Sequence, residues 1–211
     1  HRAGIPGEFN ADVAYRIGRA YAEFLKPKRV VVGRDIRLSS AELCGALTRG
    51  LNDSGVEVYD IGLCGTEVVY FATFNEGMEG GVMVTASHNP PDYNGMKFVR
   101  AQSRPISGDT GLKDIQRIAE ADVYSRAAQP GRRHEIDVRG KYIEHLLSYL
   151  DRPKLKKLKI VVNAGNGRAG LVVDQLEAHL PFEFIKINHT ADGTFPNGVP
   201  NPMLEANRVA A

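Results

Sequence analysis

Two runs, Val30-Val31-Val32 and Gly81-Val82-Met83-Val84, are apolar at every position rather than at every second one. A strand that shows one face to water alternates, so an unbroken run predicts a strand buried on both faces. Helical patterns lie between the runs. Val13, Ile17, Ala20, Tyr21 and Phe24 recur at helical spacing over Ala11 to Leu25, with Asn10 placed to cap the start. Leu43, Leu47 and Leu51 form the stripe of a second helix. Ser39 or Ser40 is its expected cap, Ser39-Ser40-Ala41-Glu42 reads as a capping box, and Gly55 is its stop. Val56 to Ile61 alternates as a strand. Thr66 is the expected cap of a helix from Glu67 to Phe74, and Leu112, Ile115, Ile118 and Ala119 mark another. Strand and helix in repeated order predict an α/β fold: a mixed, mostly parallel sheet sandwiched by helices.

Ala128 to Arg133 reads as a linker or exposed turn. A helix from Arg139 to Leu150, a strand over Leu158–Val162, a turn at Asn163–Gly167, a helix from Leu171 to His179 and a strand over Phe182–Ile187 follow. The order repeats that of residues 29 to 61. Asp192 to Pro202 is rich in Pro, Asn and Gly and has no period. The expected division is a first unit at 1–136 and a second at 137–211. The second has too few strands for a sheet covered on both faces, so the sequence reads as one that stops inside a domain.

A chain of 211 residues with 43% hydrophobic and 25% charged residues has the makings of a buried core. A formal charge of +2 gives no argument for nucleic acid or a membrane surface as partner. No apolar stretch approaches the roughly 20 residues that cross a bilayer, and the start lacks a signal-peptide core. Cys44 and Cys64 have no Cys-x-x-Cys spacing and read as free thiols of a reducing, cytoplasmic compartment.

The run ending at Val84 is followed by Thr85-Ala86-Ser87-His88-Asn89-Pro90. That places a serine, a histidine and an amide at the carboxyl end of a strand, where open α/β sheets bind ligands. Pro90-Pro91 stiffens the loop. Asn94-Gly95 reads as a turn before a strand over Met96–Arg100, and such a turn would return the Lys97 ammonium toward the Ser87 hydroxyl. Serine, histidine, amide and lysine together are the parts of a phosphoryl-transfer site.

The segment from Thr85 to Pro90, with Tyr93-Asn94-Gly95-Met96-Lys97 after it, resembles the phosphoserine loop of the α-D-phosphohexomutases. Val32-Gly33-Arg34-Asp35-Ile36-Arg37-Leu38-Ser39-Ser40 resembles that family's first strand–loop–helix. Arg104 to Gly111 and Phe195 to Pro202 resemble its bacterial phosphomannomutase branch. The resemblance covers nearly the whole chain and implies domain I plus the start of a similar domain II of a four-domain protein. It implies an isomerase that moves a phosphoryl group between the two ends of a phosphorylated hexose, mannose 6-phosphate and mannose 1-phosphate, through a phosphoserine and a hexose 1,6-bisphosphate.

In that reading Ser87 carries the phosphoryl group, Lys97 moves the sugar hydroxyl's proton, and His88 and Asn89 shape the loop with Thr85. Arg34, Asp35 and Arg37 lie at the cleft, where arginine forks match phosphate oxygens. The implied cofactors are Mg²⁺, met in this chain only through the phosphate on Ser87, and a hexose 1,6-bisphosphate activator. The family's aspartate metal loop is absent from the sequence, as are its sugar-recognition loop and last domain. This piece is therefore expected to be inactive alone, with the remaining domains of the full-length chain as its partners.

Plainer readings stand beside these: a turn-capping serine, a structural histidine, an edge-strand lysine, a surface Arg–Asp pair. Gly165-Asn166-Gly167 lacks the order of a nucleotide-phosphate loop and reads as a tight turn before a helix. The rival functions are a phosphoglucomutase or phosphoglucosamine mutase, and a non-catalytic phosphosugar-binding domain. A serine hydrolase is disfavoured because no Gly-x-Ser-x-Gly elbow occurs.

Overall fold

The computed structural model describes residues 2–4, 8–205 and 207. The strands are β1 (Arg2–Gly4), β2 (Arg29–Arg34), β3 (Glu57–Leu63), β4 (Gly80–Val84), β5 (Tyr93–Arg100), β6 (Arg104–Pro105), β7 (Arg133–Glu135), β8 (Lys159–Asn163) and β9 (Glu183–Ile187). The helices are α1 (Ala11–Leu25), α2 (Ser40–Asp53), α3 (Thr66–Asn75), α4 (Leu112–Ala121), α5 (Arg139–Ser148) and α6 (Ala169–Glu177).

The two apolar runs become the middle of the larger sheet, whose order is β1-β5-β4-β2-β3-β7, with β6 beside β5. Strands β4, β2, β3 and β7 pair in parallel; β1 and β4 flank β5 antiparallel. Because side chains alternate across a strand, Val30 and Val32 enter one core with Ile17, Tyr21, Leu43 and Ile115, beneath α1, α2 and α4. Val31 and Met83 enter another with Val69, Phe71 and Tyr142, beneath α3 and α5. Full burial of each valine favours folding by about 1.5–3 kcal/mol. Helices α1 and α2 cross on glycines: a Cβ on Gly18 would lie 2.4 Å from the Leu47 carbonyl, and one on Gly50 2.2 Å from that of Tyr15.

The second unit is smaller. Strands β8 and β9 pair in parallel, with α6 as their crossover. Val161 is 60% exposed and Ile185 40%. Helix α5 bridges the units, with Tyr142 tilted against Phe71 at 5.4 Å between ring centres. Arg168, at the head of α6, donates to the Leu63 carbonyl at the end of β3 (2.9 Å). No helix among the described residues is long and apolar enough to cross a membrane.

Several local expectations change. Asn94-Gly95 is not a turn; both residues lie inside β5, opposite Ala3 and Arg2 of β1, and the chain reverses at Pro90–Tyr93, where the Tyr93 N–H donates to the Pro90 carbonyl (3.0 Å). The Ser39 capping box does not form: Ser39 has helical backbone angles and makes no side-chain cap bond, while Ser40 Oγ donates to Asp35 instead. Thr66 is the first residue of α3 rather than its cap, which is Gly65. The stretch read as a linker ends in a strand, β7, held to the edge of β3. Asn10 does cap α1, accepting from the Val13 N–H at 3.1 Å.

Candidate active site

Three loops leave the carboxyl ends of the parallel strands: 35–39 after β2, 64–65 after β3 and 85–92 after β4. The first and third are tied together by one buried side chain. Arg37 is 2% exposed. Its Nη1 donates to the carbonyls of Pro90 (2.5 Å) and Tyr93 (2.9 Å), and its Nη2 to those of Ser87 (2.8 Å) and Asn89 (2.7 Å). Four carbonyls spread along the loop thus converge on one guanidinium, whose rigid fork suits such an arrangement. Burial pulls the guanidinium below its ordinary pKa, and the charge of Asp35 raises it again. The Arg37 Nε lies 3.3 Å from Asp35 Oδ2, an ion-pair contact without hydrogen-bond geometry.

Asp35 extends the support. Its Oδ1 accepts from Ser40 Oγ (2.5 Å) and from the Arg37 N–H (3.1 Å), and its Oδ2 accepts from Thr85 Oγ1 (2.7 Å). Thr85 Oγ1 in turn accepts the Ser87 N–H (2.9 Å). Thr85, Asp35 and Arg37, singled out from sequence beside the Ser87 loop, therefore meet as its internal frame. With both its terminal nitrogens donating to the loop and its Nε beside Asp35, Arg37 is turned to carbonyls rather than to a phosphate. Asn89 closes the loop on itself: its side-chain amide donates to the Ala86 carbonyl (2.6 Å), as does its backbone N–H (3.1 Å).

On this frame Ser87 sits at φ +56°, a left-handed conformation that costs an L residue about 1–2 kcal/mol. Strain of this kind persists where surrounding bonds over-determine it, often at functional sites. Ser87 is exposed, and among the described residues its Oγ has one hydrogen-bond partner, His88 Nδ1 at 3.4 Å.

Lys97 is not joined to them. It pairs with Met83 in the sheet, so it points to the face covered by α3. It is half-buried and makes no hydrogen bond or ion pair among the described residues. Arg34, the last residue of β2, also lies apart. It lines a cleft of about 430 Å³ with Asp60, Arg133, Arg139 and Arg168.

Two supporting residues carried no sequence-level role. Asn94, fully buried, donates to both Ser39 Oγ and Ser40 Oγ (2.9 Å each) and accepts the Gly95 N–H; its place in the Tyr93–Lys97 match was the available signal, but Asn-Gly read as a turn. Phe195, 7% exposed, lies over the Arg37 guanidinium with 5.4 Å from the carbon to the ring centre. No group of three or more His, Cys, Asp or Glu able to hold a metal ion occurs among the described residues.

Comparison with known proteins fits this geometry. The family model for phosphoglucomutase/phosphomannomutase alpha/beta/alpha domain I matches residues 1–125, and that for domain II matches residues 140–211. A phosphomannomutase of Salmonella montevideo is 57% identical over 210 residues, covering 96% of this chain and 46% of the relative. That of Escherichia coli strain K12 is 54% identical over the same shares, and phosphohexose mutases of Xanthomonas campestris pv. campestris strain B100 are 56% identical over 99% of this chain and 47% of the relative. Among solved structures, a phosphoglucomutase/phosphomannomutase family protein from Burkholderia thailandensis superposes with a TM-score of 0.86 at 37% identity, covering 98% of this chain and 46% of that one. The chain spans about half the length of the curated relatives it matches. Two adjoining domain models, relatives above half identity and a shared fold agree: this chain belongs to the phosphoglucomutase/phosphomannomutase family.

Proposed function

We propose that the full-length protein is a phosphomannomutase, interconverting mannose 6-phosphate and mannose 1-phosphate with Ser87 as the phosphoryl carrier. The observation that carries this reading is the loop itself: an exposed serine in a strained conformation, held by a frame of buried Arg37 and Thr85 joined through half-buried Asp35. The names of the relatives support the substrate.

In the forward step the bond from phosphorus to Ser87 Oγ breaks as one forms to a sugar hydroxyl oxygen. The hydroxyl proton passes by way of an uncharged Lys97 amine to the departing Ser87 Oγ, and a hexose 1,6-bisphosphate results. The sugar then presents its other phosphate, Ser87 Oγ takes that phosphoryl group, and the proton returns. Phosphoryl transfer of this kind depends chiefly on positioning and charge stabilisation, which is what a rigid loop supplies. His88 lies within reach to orient the Ser87 phosphate, and Asn89 keeps the loop closed. Arg34 faces the cleft and can meet substrate anion.

The described residues do not make a Mg²⁺ site by themselves. A phosphate oxygen on Ser87 is the ligand this chain has to offer, and the activating charge belongs to residues beyond it. Two buried, unpaired thiols support a reducing compartment such as the cytoplasm. We divide the chain at 136/137, and its partners are the remaining domains.

Assay of the full-length protein and of residues 1–211 tests the proposal, using mannose 1-phosphate, glucose 1-phosphate and glucosamine 1-phosphate with a bisphosphate activator. Turnover of the mannose ester is expected in the full-length protein alone. A preference for either other sugar, or turnover by the shorter chain, overturns the corresponding part.

A further inference from the structure

We infer that Phe195, from the second unit, positions the Ser87 loop of the first by holding Arg37 in place; the inference rests on the phosphoserine reading above. Arg37 donates at once to the carbonyls of Ser87, Asn89, Pro90 and Tyr93. Its donors keep those acceptors only while water is excluded. The Phe195 ring covers the guanidinium at 5.4 Å and is itself 7% exposed; a desolvated cation beneath a ring face is bound more firmly than an exposed one.

The segment bearing Phe195 is fixed closely against the first unit. Gly193 packs where a Cβ would lie 2.2 Å from the Ile36 carbonyl, one residue before Arg37. Phe195 holds φ +50°, strain that an unconstrained loop would relax. Behind it, Asn197 Nδ2 donates to Asn166 Oδ1 (2.9 Å), the Asn166 side-chain amide to the Thr190 carbonyl (2.9 Å), and the Asp192 N–H to the Asn166 carbonyl (2.8 Å). A line of contacts therefore runs from the turn after β8, through Phe195 and Arg37, to the backbone of Ser87. Phe195 reaches the reacting serine only through Arg37 and is a positioning residue. The docking of the second unit thereby sets how rigidly the phosphoryl carrier is presented.

Hydrogen exchange and kinetics on the full-length protein carrying Phe195→Leu test this. The N–H groups of Ser87, Asn89 and Tyr93 are expected to exchange at least about tenfold faster, with α1 amides unchanged. kcat is expected to fall about 10–100-fold while KM stays the same, as misplacement of a reacting group requires. Phe195→Tyr, which keeps the ring, restores both; Arg37→Lys, which keeps the charge and loses the fork, reproduces the loss. If Phe195→Leu accelerates α1 as well, Phe195→Met carries the same test. Unchanged loop exchange and kcat, or a rise in KM alone, overturns the inference. Absence of phosphate on wild-type Ser87 would instead refute the phosphoserine chemistry, and loop exchange would still decide this point.

Discussion

Strand β2 holds Val30-Val31-Val32 and strand β8 holds Ile160-Val161-Val162, nearly the same side chains in the same secondary structure. All three β2 valines are 0% exposed, whereas Val161 is 60% exposed. Loops at the carboxyl ends of strands in the two sheets differ likewise. After β4, Ser87 takes a left-handed conformation with its side chain outward. In the turn after β8, Asn166 takes one too, but is 6% exposed and spends its amide on Thr190 and Asn197. Local sequence decides that a strand and a turn form; the layers packed around them decide whether they become core and chemistry or a docking surface.

The largest effect that should separate the two loops comes from their left-handed residues. Ser87→Ala in the full-length protein is expected to lower turnover by at least about 10³-fold, since it removes the atom proposed to carry the group. Its melting temperature should not fall. Asn166→Ala is expected to act the other way round, lowering stability more than the chemistry. Loss of stability in Ser87→Ala equal to that in Asn166→Ala would erase the distinction between them.

Next in size is the frame. Arg37→Met keeps the apolar stem, removes the cation beside Asp35 and takes a donor from each of four carbonyls. A cost of about 3–5 kcal/mol is expected from removing one partner of a buried pair, read by denaturant unfolding. A cost below 1 kcal/mol would mean that water readily replaces the guanidinium.

The strands sharpen the contrast. Leu47→Ala, beneath β2 and 0% exposed, should cost about 2–5 kcal/mol. Val161→Ala in residues 1–211 should stay within about 0.5 kcal/mol. A larger cost there would show that β8 is covered in solution.

Much of this was legible from the sequence where period and burial coincide. The unbroken apolar runs gave the central strands, and the stripe from Val13 to Phe24 with Asn10 gave α1 from Ala11 to Leu25. Short elements defined by their neighbours were not. Arg133-His134-Glu135 has no apolar residue to mark a strand; it pairs because β3 offers an open edge. Asn94-Gly95 favours a turn locally, yet partners on both sides keep it in β5. At the site, residue identity pointed to Thr85, Asp35, Arg37 and Ser87. It did not reveal that Arg37 faces carbonyls, because an arginine's partners come from loops distant in sequence. Nor did it reveal Phe195, whose partner lies in the other unit.

The smallest effect concerns the two thiols. Burial pushes Cys44 and Cys64 up from 9.0 to about 12. A raised folded pKa gives stability that is complete below the unfolded value and lost as pH rises toward the folded one. Stability is therefore expected to decline between about pH 9 and 12, and both thiols should resist alkylation at pH 8 until the protein unfolds. Rapid alkylation of either in the folded protein would contradict their burial.

The central claim is that Ser87 carries the phosphoryl group. Rapid-quench analysis of the full-length protein mixed with radiolabelled hexose 1,6-bisphosphate measures this directly. Label is expected on the peptide containing Ser87, appearing and disappearing at least as fast as turnover. Label on another residue, or none during turnover, would contradict the account.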